Sequence, residues 1–167
     1  MGKTEFRLTV EKDLLTGLGA RVRPLLAKVV RRTARDIEAR AKTAIKSGPK
    51  SGRIYDRNEH QVNFTTRGGK AVSFTAYRGK KRRKPHQASA PGEAPATDEG
   101  LLVNSIQTVA TGELSAEVTV GAEYGAALEF GSPDGRIAPR PYIGPAVVAA
   151  QPEFEQGVTA AIQRASA

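Results

Sequence analysis

The chain has 167 residues, 39% hydrophobic and only 5% aromatic, with a formal net charge of +9, which suits one domain with a small aliphatic core. The absence of cysteine excludes disulfides, thiol nucleophiles and Cys-ligated zinc, and two histidines are too few for a histidine-rich metal site. No apolar run reaches the roughly 20 residues that span a bilayer and the N-terminus does not read as a signal peptide, so we expect a soluble protein made in a cytoplasm, without a membrane partner.

The first 46 residues predict a short strand and a long helix. Residues 6–10 (FRLTV) alternate apolar and polar, which indicates a strand or an ordered arm. Apolar residues then recur every three or four positions from Leu14 to Ile45, which predicts an amphipathic helix over residues 11–46. Pro24 lies either in the first turn of the main helix or at a kink, and we favour a break over residues 19–24. Gly48 is expected to end the helix as a left-handed cap.

A β-hairpin is predicted next, within a hairpin and loop insertion over residues 53–88. Residues 62–66 and 71–77 alternate around the turn sequence Arg67-Gly68-Gly69-Lys70. Alternation explains Phe74 and Tyr77 as sheet residues, and the competing interpretation is that they stack on nucleic-acid bases.

A basic run follows the hairpin and is the strongest candidate for contact with a polyanion. It consists of five consecutive cations: Lys80, Lys81, Arg82, Arg83 and Lys84. Mutual repulsion predicts an exposed loop, and clustered cations can bind several phosphates and release their counterions. The pattern carries no sign of base-specific readout.

The sign of the charge changes at a proline-containing segment over residues 89–97, which predicts an extended connector without regular hydrogen bonds. Residues 1–46 carry 12 Lys/Arg and 5 Asp/Glu, residues 47–90 carry 11 and 2, and residues 91–167 carry 3 and 10. This dipole favours either self-association or a basic face directed at a polyanion.

The last segment, residues 98–167, predicts a sheet and a C-terminal helix. A helical turn with Asp98 as its N-cap leads into a second hairpin around residues 111–113, and a short helix spans residues 124–130. A final helix begins at Pro145, with Pro152 as a kink or restart. Its predicted apolar face contains Val147, Val148, Phe154, Val158, Ala161 and Ile162. The chain is therefore expected to be a single α+β domain in which the long N-terminal and C-terminal helices pack on one face of a mainly antiparallel sheet.

Few residues are candidates for catalysis. His60 and His86 lie in polar, turn-rich stretches typical of surface histidines. The acid pairs Asp98 with Glu99 and Glu123 with Glu129 have the residue types of a general acid and base, but no nucleophile or metal-ligand spacing accompanies them. We expect no enzymatic activity, no metal and no cofactor.

Two segments resemble a known family. They are residues 86–106 (HQASAPGEAPATDEGLLVNSI) and residues 124–146 (YGAALEFGSPDGRIAPRPYIGPA). Together they resemble the tail-component family typified by gene product ten of phage HK-ninety-seven, small neck or tail-completion proteins of long-tailed phages. The resemblance covers most of the chain and is weakest over the hairpin and basic run, because that segment is shorter in many relatives. The matching residues are treated as a structural signature: Pro91, Gly92, Pro95, Gly100, Tyr124, Leu128, Glu129, Phe130, Gly131, Arg140, Pro141 and Pro145.

The resemblance implies a non-enzymatic virion protein that joins the capsid portal to the tail. Its expected partners are five further copies of itself in a hexameric ring, the neighbouring head-closure or connector proteins, and tail-terminator or tail-tube proteins. The packaged double-stranded DNA is a further expected partner in the lumen of the ring. In such a ring the cations of residues 80–84 would face either this DNA or an adjoining ring. The alternative function is non-specific DNA binding through the same basic loop.

Overall fold

The computed structural model describes residues 4–9, 21–55, 59–77 and 85–166. Two long helices, two short ones and three small antiparallel sheets form an α+β fold, which confirms the predicted class. In chain order the elements are β1 (Thr4–Thr9), α1 (Val22–Ser47), β2 (Ile54–Tyr55), β3 (Glu59–Thr65), β4 (Ala71–Tyr77), β5 (His86–Gln87), α2 (Leu101–Ser105), β6 (Ile106–Ala110), β7 (Ser115–Val120), α3 (Gly125–Phe130) and α4 (Gly144–Ser166). Within the described ranges, no helix combines the length and the apolar character needed to cross a membrane.

The largest sheet has three strands in the order β1–β7–β6, with both pairs antiparallel. Its central strand β7 is registered so that Val118 pairs with Phe6 on one side and Thr108 on the other. Side chains alternate across a strand, so Ala116, Val118 and Val120 share one face, and all three are buried in the main core. The predicted N-terminal strand and second hairpin are both confirmed.

Helix α1 covers that face of the sheet. Its buried residues recur at three- and four-residue steps, as the periodicity predicted: Val22, Leu26, Ala27, Val30, Thr33, Ala34, Ile37, Ala41 and Ile45. Pro24 lies in the first turn, where backbone N–H groups have no acceptor within the helix, so the missing N–H of proline costs no helical hydrogen bond. Of the two alternatives for Pro24, the structure therefore supports the helix that starts beside it; residues 11–20 of the predicted helix lie outside the described residues.

Gly48 ends α1, but not as the left-handed cap that we predicted. Its φ is −63° and its ψ 164°, which is extended backbone, and its N–H donates to the carbonyl of Ala44 at 2.9 Å. The reason for glycine is space, because a Cβ here would lie 2.3 Å from the Ala44 oxygen. Lys50 completes the end of the helix by donating from Nζ to the Ile45 carbonyl at 3.0 Å.

Helix α4 packs antiparallel against α1. Arg40 of α1 binds Glu153 of α4 at 2.6 Å, whereas Val29, about three turns earlier in α1, faces Gly157, about one turn later in α4. A Cβ at Gly157 would lie only 3.0 Å from Cγ1 of Val29, so the missing side chain allows this close approach. The helix runs through Pro152 without restarting.

The predicted apolar face of α4 is wrong at one position. Val148 is 69% exposed, whereas Ala146 and Ala150 on the neighbouring stripe are buried. Small side chains at those two positions let the start of α4 approach the core. Val148 is two residues from each of these alanines, and at about 100° per residue it therefore lies on the opposite side of the helix.

The helical turn α2 begins at Gly100, whose φ of 81° is in the left-handed region. The N-cap is therefore Gly100 and not Asp98 as predicted. The glycine supplies a backbone conformation here that an aspartate would adopt only with strain.

The first hairpin, β3–β4, is confirmed with the predicted turn, but it forms a separate two-stranded sheet. Strands β2 and β5 form another short antiparallel pair. The insertion thus leaves the three-stranded sheet unextended.

Candidate functional site

The two signature segments meet in the folded chain. The Gly92 N–H donates to the Pro139 carbonyl at 2.8 Å, and Nε of Arg140 donates to the Ser89 carbonyl at 3.3 Å. The Arg140 N–H in turn donates to the Leu128 carbonyl at 2.6 Å. We call the region joined by these contacts, residues 89–95, 125–131 and 138–144, the junction.

Glu129 is the central side chain of the junction. It is only 5% exposed, and its carboxylate accepts hydrogen bonds from three consecutive backbone N–H groups. Oε2 accepts from Tyr142 at 2.8 Å and Ile143 at 3.0 Å, and Oε1 accepts from Gly144 at 2.8 Å. These donors surround the N-terminus of α4, where a helix has unpaired N–H groups and a partial positive charge.

This arrangement accounts for Glu129 without catalysis. Both carboxylate oxygens are used in fixing the path from residue 142 into α4, whereas Glu123 is exposed. Sequence reasoning missed this role of Glu129 because the groups that donate hydrogen bonds to Glu129 are backbone N–H groups. A signal was nevertheless present, since a glutamate next to Phe130 ahead of a proline-rich loop is an unusual residue to bury.

Tyr142 lies beneath the junction and is 1% exposed. Its hydroxyl donates to the Gly125 carbonyl at 3.2 Å. Burial raises the pKa of this phenol well above its ordinary value, and the negative charge of Glu129 adds to the shift. Gly125 fits closely here, because a Cβ would lie 2.7 Å from Cγ1 of Val120 and 3.0 Å from the tyrosine oxygen.

The segment of residues 89–97 is tied down rather than a free connector. Glu93 accepts from the Ser51 N–H at 2.9 Å, from the Ser51 hydroxyl at 2.5 Å and from the Ala90 N–H at 2.8 Å. These hydrogen bonds, led by that of the Ser51 hydroxyl, lower the pKa of Glu93. No helix or strand lies within residues 89–97, as predicted, and this carboxylate binds the segment to the chain that follows α1.

The remaining signature residues shape the backbone. Gly92, Gly100 and Gly131 all have φ between 81° and 84°, a region that favours glycine. At Gly131 the space is also limited, since a Cβ would lie 3.1 Å from the Ile137 carbonyl oxygen. Pro95 is buried, Pro141 is half-buried, and Pro91 and Pro145 are exposed.

Of the apolar signature residues at α3, one packs inward and two are exposed. Leu128 packs against the main core, but Tyr124 is 44% exposed and Phe130 is 64% exposed. Together with Leu101, which is 63% exposed, Tyr124 borders a groove of about 230 Å³ that also contains Asp98 and Glu99. The signature thus combines a rigid inner frame with apolar side chains on the outside.

The basic run of Lys80, Lys81, Arg82, Arg83 and Lys84 lies outside the described residues. A second group of cations is described, on the outer face of α1. Lys28, Arg31, Arg32 and Arg35 are exposed and follow the spacing i, i+3, i+4, i+7, which places them on one face. Further along α1, by contrast, Arg40 is paired with Asp36 at 2.6 Å and Lys42 with Glu38 at 2.5 Å.

The described residues contain no cluster of three or more His, Asp or Glu side chains arranged to hold a metal ion. His86 is half-buried in β5, and the side chain of His60 lies outside the described part. A groove of about 410 Å³ between α1 and α4 contains Arg32, Asp36 and Glu153. Its carboxylates belong to the ion pairs of Arg40, so this groove is part of the helix packing.

Comparisons with protein-family models, with curated proteins and with solved structures found no match to this chain.

Proposed function

We propose that this chain is a structural virion protein of a tailed bacteriophage, one that forms a ring in the neck between the capsid portal and the tail. The observation that carries the proposal is the direct contact between the two signature segments, in which Gly92 donates to the Pro139 carbonyl and Arg140 donates to the Ser89 carbonyl. The residues that resemble the phage family are contiguous in the sequence only in part, yet they build a single junction that orients α4. The resemblance predicts that these residues form one structural unit, and the junction is such a unit.

The surface of the fold supports an assembly role. Leu101, Phe130 and Val148 are each more than 60% exposed, and they lie on α2, α3 and α4 respectively. Exposed apolar side chains gain stability when a neighbouring subunit removes them from water. In a subunit that lies between neighbours in a particle, such side chains would be buried at the contacts between subunits.

The proposal is tested in a phage that encodes this chain, by imaging negatively stained particles from a mutant that lacks it. Filled heads and finished tails that remain separate are the expected result for a joining protein, and missing tails would assign it to an earlier step of tail assembly. Normal, infectious particles would overturn the proposal. Sedimentation of the purified chain provides a second readout, since a hexameric ring has about six times the subunit mass of 17.8 kDa.

A second candidate function is non-specific binding of double-stranded DNA, and the observation that favours it is the cationic face of α1. The four cations from Lys28 to Arg35 span about 10 Å along the helix axis, and each phosphate contact of this kind releases counterions. None of the four forms an ion pair within the described residues.

The DNA-binding candidate predicts a steep loss of affinity with salt. Replacing Arg31 and Arg35 with Gln should reduce the slope of log K against log salt by about 1.8, because each phosphate contact contributes about 0.9. Arg136→Gln is the matched control, since Arg136 is exposed but paired with Asp134 at 3.2 Å. An unchanged slope in the double variant would exclude α1 as the DNA-binding surface.

A further inference from the structure

The β3–β4 hairpin has one apolar face. Val62 pairs with Phe74 and Phe64 pairs with Val72, so these four side chains lie on the same side of the two strands. The two phenylalanine rings pack edge to face with their centroids 6.2 Å apart. Asn63 and Ser73 pair on the opposite side, which is polar.

The apolar face of this hairpin is uncovered. Phe64 and Phe74 are each 48% exposed, and no hairpin side chain with a described environment is buried. Strands β3 and β4 hydrogen-bond only to each other among the described strands. An isolated two-stranded hairpin is marginally stable in water and needs a third strand or a packing surface. The hairpin therefore requires a partner surface.

The groove beside the junction has the complementary character. Leu101 and Tyr124 supply exposed apolar surface at its edge, and Asp98 and Glu99 add acidic groups. Lys and Arg are absent from its lining among the described residues. The hairpin has the opposite charge, with Arg67 and Lys70 exposed at its turn.

We propose that the hairpin of one copy lays its apolar face on the Leu101–Tyr124 groove of a second copy, with the cations of its turn against the acidic edge of that groove. The inference rests on the self-association in the proposed function and specifies the surfaces that make it. Each copy offers one hairpin and one groove, so the contact is heterologous. Such contacts close into a ring when the rotation between subunits allows it.

The absence of native cysteine makes a direct test simple. Two single variants, Phe74→Cys and Leu101→Cys, are purified separately, mixed and oxidised, with one of them carrying a tag that separates mixed dimers from dimers of like chains. The mixed disulfide should form rapidly, and it can form only between copies. The control is Ser73→Cys mixed with Leu101→Cys, because residue 73 lies on the polar face of the same strand. Equal yields from the two mixtures would overturn the proposal.

Charge reversal and loss of the apolar face provide the second measurement. Lys70→Glu and Glu99→Lys should each weaken self-association in sedimentation, and the double variant should recover it. Phe64→Thr with Phe74→Thr should weaken association by about tenfold or more, equivalent to about 1.4 kcal/mol. Asn63→Thr with Ser73→Thr should leave it unchanged.

The outcomes separate the two proposals. A chain that assembles normally but is insensitive to all these substitutions and gives no selective cross-link would refute the hairpin contact and leave the neck ring standing. A chain that stays monomeric and gives no cross-link would refute the hairpin contact, whereas the particle-imaging experiment independently decides the neck function.

Discussion

Glu129 should contribute more to stability than any other carboxylate with described contacts, because it fixes the start of α4 from a buried position. The informative variant is Glu129→Gln, which preserves the shape of the side chain. A glutamine has one acceptor oxygen, so its amide NH₂ must face at least one of the N–H groups of Tyr142, Ile143 and Gly144.

The magnitude follows from these contacts. Loss of a hydrogen bond to a charged group costs about 1.5–3 kcal/mol, and loss of a partly buried charge at a helix N-terminus costs up to about 2 kcal/mol. Because the two effects share the same atoms, we expect a total of about 2–4 kcal/mol. For a chain of this length that corresponds to a fall in Tm of roughly 5–15 °C.

The assay is urea unfolding followed by circular dichroism, with thermal unfolding as a second measurement. Glu113→Gln is the control, since Glu113 is exposed in the loop between β6 and β7, and its effect should stay within about 0.5 kcal/mol. If Glu129→Gln were as mild as this control, the carboxylate would not be holding α4, and the interpretation of the signature as a structural frame would be wrong.

Three further predictions concern the junction and its surroundings. The pKa of Glu93 is lowered in the fold, so this carboxylate stabilises the protein above its unfolded pKa, and the stabilisation is lost as the pH falls. Glu93→Gln should therefore make acid unfolding less dependent on pH. An unchanged dependence would contradict the hydrogen bonds from Ser51 to Glu93. The pKa of Tyr142 is raised, so stability should fall above about pH 10, where the unfolded phenol ionises first, and Tyr142→Phe should reduce that alkaline slope in unfolding titrations. Gly125→Ala should destabilise by about 1–3 kcal/mol through its contacts with Val120 and Tyr142, whereas Gly68→Ala, which has open space, should be far milder in the same urea assay.

Periodic hydrophobic patterns predicted the elements whose burial follows a regular repeat. The three- and four-residue spacing placed α1 and α4, and the alternation placed the strands of both hairpins. Gly48 shows where such reasoning fails: the residue type at the helix end was expected for its left-handed conformation, but it is needed because the Ala44 carbonyl leaves no room for a Cβ. Backbone crowding of this kind is set by the folded path and is invisible in the local sequence.

The junction was less predictable than the elements that it connects. Its contacts join backbone groups to side chains far along the chain, such as Glu93 to Ser51 across 42 positions. Composition identified residues 89–97 as irregular but could not show that a carboxylate anchors them. Some signature residues, such as Glu129 and Arg140, make contacts of the junction, whereas Glu93 and Tyr142 make such contacts and lie outside the signature, so the physical roles emerge only from the hydrogen bonds.

The hairpin shows a different limit of pattern reading. Alternation in β4 predicts an amphipathic strand and states nothing about which chain covers its apolar face. The structure leaves Phe64 and Phe74 each 48% exposed, so the alternation that normally marks core residues here marks an exposed apolar face.

In the proposed hairpin contact, the number of copies depends on how the hairpin and the groove of one copy are arranged relative to each other. If a two-fold axis lets two copies exchange hairpins, both grooves are filled at once and growth stops at a dimer of about 36 kDa, twice the 17.8 kDa subunit. If the rotation differs from two-fold, each added copy leaves one hairpin and one groove open, and association continues until the ring closes.

A mixed population of Lys70→Glu and Glu99→Lys single variants distinguishes these cases. In a two-fold pair, one of the two contacts joins the reversed surfaces of both variants and the other joins two unaltered ones, so mixing should restore a dimer. In a ring with a larger even number of copies, alternation of the two variants satisfies every contact in the same way, so mixing should restore a ring of several subunit masses. The mass of the species that mixing restores, measured by sedimentation, therefore decides between an exchanged dimer and a ring.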